Sequence, residues 1–387
     1  MFQIMNFRTP DVLFGNDTVN EVGKKAKELG AKNALLITGP HIAKTGMADQ
    51  VISSLEEASL KVELNIQSKK TPEPTTDIAD ETAKVAHEKK ADVVIGIGGG
   101  SIMDVAKIAA AMQANEGSAS DYLGKEKIKN KGLPTIMIPT TSGTGAEITK
   151  HAILLDLETN VKKAVASTKL LPDVAIVDPK LSLSCPASVT ASSGLDAFIH
   201  AAEPFVSKNA NPLTDNISLN AVKLITRWLA PAYNDGDNLE ARYYMSMGSL
   251  MAGLVLNNAG TSLVHALSYP IGGEYHVPHG ISLSVLLSSC FKYIIPAKPK
   301  KFVQIAEAMG ENVDNLPDRK AAKLSIEAID YLVDSLSLPS KLRDLDIEDE
   351  SKIDQWAEEA YKEQRLLSRC VSTLSVKDIK KIYSDAF

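Results

Sequence analysis

Residues 92–107 read DVVIGIGGGSIMDVAK, an apolar run that breaks on Gly98, Gly99, Gly100 and Ser101 and resumes as an amphipathic helical pattern. A strand that turns tightly into a helix start is the unit from which parallel α/β sheets are built. Backbone amides at such a start can cradle a pyrophosphate, and glycines let it approach closely. A tight turn that binds nothing is the competing reading of this loop taken alone. It is not the GxGxxG of a standard dinucleotide fingerprint, because Ser101 stands where the third glycine would fall, and it follows a third apolar run, not a first.

Working outward, ALLIT at 34–38, VELNI at 62–66, TIMIP at 135–139 and VAIV at 174–177 are further β-rich runs, and helical patterns alternate with them up to about residue 180. The alternation predicts a Rossmann-like parallel sheet. HAILL at 151–155 and KKAVAS at 162–167 flank the turn-like Glu158, Thr159 and Asn160, which predicts a hairpin beside that sheet. After the punctuated stretch Asp178, Pro179, Ser182, Ser184 and Pro186 the strand runs stop, and helical periodicity takes over, as in Ile217, Ala221, Leu224, Ile225 and Trp228. We therefore expect an α/β domain over 1–184 and an all-α domain over 185–387.

Composition narrows the function class. Of 387 residues, 44% are apolar and 23% charged, a balance that excludes disorder as the main state. The 42 Lys and Arg against 48 Asp and Glu give a net charge of -6, without the basic excess that phosphate-backbone binding needs, so no nucleic-acid partner is expected. The opening MFQIMNFRTP has no basic start followed by a long apolar stretch, and no run reads as a membrane span, so a cytoplasmic protein is expected. Cys185, Cys290 and Cys370 are far apart and form no CxxC, which suggests neither a disulfide framework nor a thiolate metal knuckle.

Two further constellations carry chemistry. After TIMIP come Thr140, Thr141, Ser142, Gly143, Thr144, Gly145, Ala146 and Glu147, a second small polar loop at the carboxyl end of the next strand. Open α/β sheets bind ligands outside those ends, so two such loops would line one crevice fit for a nucleotide. In SSGLDAFIHAAE, Asp196 and His200 stand four residues apart, on one face of a helix and one turn from each other. LVHALSYPIGGEYHVPHG adds His265 and His279, with Pro270, Gly272 and Gly273 between them expected to turn the chain back. One carboxylate and three imidazoles suit a divalent first-row metal such as iron or zinc.

These motifs resemble the iron-containing, group III alcohol dehydrogenases, whose fold is similar to that of dehydroquinate synthase and glycerol dehydrogenase. The resemblance runs essentially end to end through GGGSIMDVAK at 98–107, PTTSGTGAEIT at 139–149, LPDVAIVDP at 171–179, GLDAFIHAAE at 194–203 and HALSYPIGGEYHVPHG at 265–280. It implies NAD(P)-dependent interconversion of small alcohols and aldehydes, with Asp196, His200, His265 and His279 as metal ligands, Fe2+ favoured and Zn2+ the alternative. It implies nucleotide contacts from Gly98, Gly99, Gly100, Ser101 and Asp104, from Thr140, Thr141, Ser142 and Thr144 in the second loop, and from Lys162, and it implies a homo-oligomer, a dimer or higher. His151, Leu256 and Thr261 fall in segments expected to line a small substrate pocket.

Three departures stand out. Where NAD-preferring members carry an Asp after the first strand, this chain has Gly39 and Pro40, with only His41 and Lys44 nearby to meet a 2'-phosphate, which leaves NADP open beside NAD. Tyr269 replaces the second His that many members carry four residues after the third ligand, and His276 is an alternative for its proton-transfer role. The C-terminal Asn-Pro-Arg of many relatives is missing around Cys370 to Lys377. The expected chemistry is hydride transfer with the substrate oxygen polarised by the metal. Its rivals are a dehydroquinate synthase-like lyase or cyclase, a hydroxyacid-oxoacid transhydrogenase, and a non-catalytic binding protein on the same scaffold.

Overall fold

Val93 to Ile97 and Ile136 to Ile138 are buried almost without interruption, the pattern of strands covered on both faces. In the computed structural model, which describes residues 5–67, 74–158 and 161–387, they are the middle of a six-stranded parallel sheet. Its strands are β1 (Asp11–Phe14), β2 (Asn33–Thr38), β3 (Lys61–Ile66), β4 (Val93–Gly98), β6 (Thr135–Pro139) and β9 (Val174–Val177), in the order β1-β9-β6-β4-β2-β3. Helices α1 (Val22–Glu28), α2 (Pro40–Lys44), α3 (Met47–Glu57), α4 (Thr76–Glu88) and α5 (Gly100–Met112) lie between the strands. Alternate side chains feed two cores: Leu36, Val93, Ile95 and Ile97 pack with Val22, Val51 and Leu55, while Leu35, Ile37 and Val94 pack with Met103, Ala106 and Ala110. Gly96 is what lets α5 press on the sheet, since a Cβ there would stand 3.0 Å from Ala106 and 3.1 Å from Met137.

The expected hairpin is present as β7 (His151–Asp156) antiparallel to β8 (Val161–Ala166), joined by the two-residue β5 (Gly124–Lys125) into a small second sheet. Of its turn, Thr159 and Asn160 lie outside the described residues, as does the start of the chain before Met5. β1 and β5 were not expected from the sequence, and β1 makes the glycine loop follow the fourth strand, not the third.

Contacts divide the chain into Arg8–Cys185 and Pro186–Phe387, and the described residues up to Phe7 fall with the second unit. That unit is helical: α6 (Ala187–Phe205), α7 (Pro212–Asn234), α8 (Leu239–Ala259), α9 (Leu263–Tyr275), α10 (His279–Ile294), α11 (Pro299–Met309), α12 (Asp318–Ser335), α13 (Ile353–Lys362), α14 (Gln364–Leu367) and α15 (Val376–Ala386). Fully buried Trp356 sits among Tyr275, Tyr383 and Phe387, its indole N–H donating to Glu274 at 2.6 Å. Against the sequence expectation, the run His279–Ala297 has the length and mean hydropathy, 1.4, of a membrane span. Its α10 part is packed into the helical core through Leu283, Leu286, Leu287 and Phe291, so it reads as a core helix.

Candidate metal centre

Asp196 and His200 lie on one stripe of α6, Nε2 of His200 being 3.3 Å from Oδ1 of Asp196. Gly260, held at φ 76°, ends α8, and α9 leaves at 101° to it, which redirects His265 toward that stripe. Nε2 of His265 is then 3.5 Å from Asp196 Oδ1 and 3.2 Å from His200 Nε2. His279, the first residue of α10, completes the set at 3.9 Å from the same oxygen. Pro270, Gly272 and Gly273, expected to turn the chain, are instead inside α9, because the buried Val264, Leu267 and Ile271 keep that helix going; the turn falls at His276, which is left-handed at φ 53°, and Pro278.

Among the described residues the buried Asp196 Oδ1 has no hydrogen-bond partner, an arrangement that is costly unless something else satisfies it. Three imidazole nitrogens face it, and no thiolate is among the donors. The ligand atoms of Asp196, His265 and His279 all lie within 4.8 Å of one another, and His200 Nε2 stands 3.3 Å from Asp196 Oδ1 and 3.2 Å from His265 Nε2 beside them; such N and O donors suit a divalent ion with bonds of about 2.0–2.2 Å. The side chain of His279 is 38% exposed against 4% for Asp196, so the cluster opens on the His279 side.

Glu203, fully buried one turn beyond His200, secures this geometry. One carboxylate oxygen accepts from Val264 N at 2.6 Å; the other accepts from Ser262 N at 3.1 Å and from His265 Nδ1 at 2.7 Å. The same group therefore caps the open amides at the start of α9 and fixes the tautomer that turns His265 Nε2 toward Asp196. Glu203 lies within a quoted motif, but the sequence reading gave it no role. Gly280 matters for a steric reason: a Cβ there would stand 2.2 Å from the Ser192 carbonyl oxygen of α6. Gly280→Ala is expected to push the start of α10 away from α6 and destabilise the fold by about 1–3 kcal/mol. A metal titration on the variant should show weaker binding along with the lower melting temperature.

Charge follows the geometry. Burial alone would raise the Asp196 carboxyl, but the imidazoles of His200, His265 and His279 outweigh it and hold it well below the usual carboxylate range. Burial alone would lower His265, but Asp196 and Glu203 overcome it and push the ring up to about 9. A raised His265 stabilises the metal-free fold fully below its unfolded value of about 6.5, and that contribution is lost as pH rises through about 9. Asp196 acts in the opposite sense, its contribution disappearing only in strong acid. Chelated protein is thus expected to melt lower at pH 9 than at pH 6.5. Metal affinity should rise over the same range, because the ion must displace the His265 proton. Melting curves with and without chelator at both pH values check this.

In the α/β unit, Gly98 (φ 154°) ends β4, Gly99 caps α5 with an extended backbone, and Gly100 and Ser101 form its first turn. Among the described residues no side chain caps that helix start. A Cβ on Gly100 would be 2.7 Å from Thr144 Oγ1, so the two polar loops touch. They follow neighbouring strands, and Thr140 N donates to Gly98 O at 3.0 Å. Asp104 pairs with buried Lys107 at 2.9 Å and accepts from Ile153 N at 2.9 Å, tying α5 to the hairpin. Burial pushes Glu147 up to about 7, with Lys107 partly offsetting it.

The family model described as iron-containing alcohol dehydrogenase matches residues 9–179, and that described as the C-terminal part of the Fe-containing alcohol dehydrogenase family matches residues 190–387. The chain belongs to the iron-containing alcohol dehydrogenase family. Among its relatives, the chain is 40% identical to Long-chain-alcohol dehydrogenase 1 of Geobacillus thermodenitrificans, over 96% of this chain and 94% of that one. It is 36% identical to the NAD-dependent methanol dehydrogenase of Bacillus methanolicus, over 98% and 99%. A crystal structure of 1,3-propanediol oxidoreductase superposes with a TM-score of 0.95 at 36% identity, covering all of both chains. As a member of this family the protein is an alcohol oxidoreductase of dehydroquinate synthase-like fold, and the family implies a metal and a nicotinamide-type cofactor.

The remaining candidates of this family member fall as follows. Tyr269 is the neighbour of His279, ring centroids 6.4 Å apart; burial raises its phenol against the pull of Arg365, so it stays a neutral hydroxyl. His276 is exposed beyond the end of α9. Leu256 is half-buried on α8, and Thr261 is buried with its carbonyl accepting from Arg369 at 3.1 Å. His151 opens β7, its carbonyl accepting from Lys107, and Lys162 stands opposite Leu155 in the hairpin.

Proposed function

We propose that the enzyme interconverts small alcohols and aldehydes with NAD(H) or NADP(H), at one divalent ion held by Asp196, His200, His265 and His279. Iron is the favoured ion and zinc the substitute, since an N3O donor set accepts both. The observation that carries this reading is the buried, unpartnered Oδ1 of Asp196 faced by three imidazole nitrogens. When bound, the ion supplies Lewis-acid polarisation of the substrate oxygen and the dinucleotide supplies or accepts the hydride. The chain's part is to position and to handle the proton. Glu203 holds His265, and in this reading Tyr269, kept protonated with its ring 6.4 Å from that of His279, exchanges a proton with the substrate oxygen. The dinucleotide lies in this reading on the amides of Gly99, Gly100 and Ser101 and along Thr140, Thr141, Ser142 and Thr144, where an uncapped helix start favours a phosphate. Assembly as a homo-oligomer and a cytoplasmic location rest on the resemblance and composition.

Gly39 supports use of NADP(H) beside NAD(H). Its backbone is ordinary, and a Cβ there would meet nothing closer than Ile102 at 3.7 Å, so no steric demand explains the missing carboxylate. Gly39→Asp should fold normally and lower the NADPH-to-NADH ratio of kcat/KM by at least about tenfold, through repulsion of a 2'-phosphate. Initial rates with both nucleotides measure it.

The experiment that tests the function as a whole is reduction of short aldehydes, followed at the nicotinamide absorbance, with enzyme loaded separately with Fe(II) or Zn(II). Turnover that vanishes on chelation and returns with metal is the expected result. No turnover with any pairing, despite bound metal and nucleotide, would overturn the reading.

A further inference from the structure

Lys107 lies two turns into α5, roughly 10 Å along the helix from Gly100, and its side chain is fully buried. An ammonium has three donors and accepts nothing, and here each donor meets an acceptor. These are Asp104 Oδ1 at 2.9 Å, Ala146 O at 3.0 Å and His151 O. The acceptors come from three separate segments: α5 itself, the end of the second polar loop, and the start of β7. Asp104 adds a further tie, its other oxygen accepting from Ile153 N at 2.9 Å.

Burying an ammonium with its counter-ion is a poor way to gain stability, because desolvation cancels most of the attraction. A methionine would fill nearly the same space without that cost. What only the ammonium supplies is a single point to which two carbonyls are tied, and its place gives that point its meaning. The loop 140–147 is fixed to the glycine loop at its beginning, where Thr140 N donates to Gly98 O at 3.0 Å, and to α5 at its end, where Lys107 holds Ala146. Between those anchors Thr144 stands so close to Gly100 that a Cβ there would be 2.7 Å from its Oγ1. Thr141, Ser142 and Thr144 remain partly exposed, whereas Gly145, Ala146 and Glu147 are buried. The accessible hydroxyls thus sit on a backbone held at both ends.

We infer that Lys107 is a positioning residue for the dinucleotide: with its own donors committed, it touches no ligand and instead fixes the distance between the polar loop and the amides at the start of α5. This rests on the function proposed above and deepens it by naming the residue that sets the shape of the nucleotide site. An uncapped helix start favours a phosphate, but a second wall contacts the same ligand only if it stays at one spacing from the first. Without the ammonium, the carbonyls of Ala146 and His151 lose a donor, Asp104 loses its cation, and the end of the loop is released from α5.

The test uses enzyme loaded with Zn(II) and reads binding before turnover, by titrating NADH and NADPH and following the nicotinamide fluorescence. Lys107→Met should bind the better nucleotide at least about tenfold more weakly, while a calorimetric titration of Zn(II) gives the native affinity. Its nucleotide KM should rise by a similar factor, with the aldehyde KM within about twofold of native. Lys107→Arg keeps the charge with differently placed donors and should lose only about threefold; it also decides the matter where the Met variant does not fold. A folded Lys107→Met that melts lower yet binds nucleotide as the native chain does would leave Lys107 a structural tie alone and overturn the inference. Native nucleotide affinity in Lys107→Arg, were that the only variant to fold, would do the same. Equal weakening of metal and nucleotide would overturn it too, since the damage would then be general. Native enzyme that binds neither nucleotide would instead overturn the dehydrogenase reading, and the inference with it.

Discussion

Glu203→Ala is expected to destabilise the protein by about 3–5 kcal/mol and to weaken metal binding at the same time. Removing the carboxylate strands the amides of Ser262 and Val264 and the Nδ1–H of His265, three donors in a fully buried place that water does not reach. The effect is larger than a lost helix cap alone, which is worth about 1 kcal/mol. Glu203→Gln separates the two roles. It keeps the shape and one acceptor oxygen but sets an NH2 against a backbone donor or against His265. Its metal affinity should fall by about ten- to a hundredfold, the usual effect of losing a group that orients a ligand imidazole. Thermal unfolding with chelator reads the first effect and a competitive metal titration the second. A Gln variant that melts lower yet binds metal as tightly as the native chain would leave Glu203 as a cap of α9 and nothing more.

The parts of this molecule that were legible in the sequence are those in which one local pattern settles the outcome. β2, β4, β6 and β9 are covered on both faces and so appear as unbroken apolar runs. β1 is four residues at an exposed edge and β5 only two, too short for any periodicity to register. Asp196 and His200 were legible from their spacing on one helix. Glu203, seven residues from Asp196, extends the same stripe and carried a readable signal in that spacing. What made it matter, the approach of Ser262, Val264 and His265 from another helix, is tertiary. The turn before His279 was misplaced because proline and glycine ordinarily end helices, whereas in α9 the burial of Val264, Leu267 and Ile271 outweighs the loss of one backbone hydrogen bond at Pro270. Arg369 carries no motif at all; only the fold brings it to the carbonyl of Thr261.

Asp196→Asn should lower aldehyde reduction by at least about a thousandfold, because it removes the only anionic donor of the set and with it the ion that polarises the substrate oxygen. Asn has nearly the shape of Asp, so the packing of α6 is kept and the change is one of charge. The same substitution tells a metal site from a buried hydrogen-bond cluster. If Asp196 were there only to neutralise His265, whose ring it helps to push up to about 9, the variant would be less stable at neutral pH and the metal content of the native chain would already be negligible. If the four residues hold an ion, native protein gains stability when metal is added, by about 2.7 kcal/mol at a hundred times the Kd, and the variant gains almost none. Metal content per chain, melting temperature with and without added Fe(II) or Zn(II), and activity on the same samples settle it. Near-stoichiometric tight metal in Asp196→Asn would place the ion elsewhere and overturn the assignment of all four ligands.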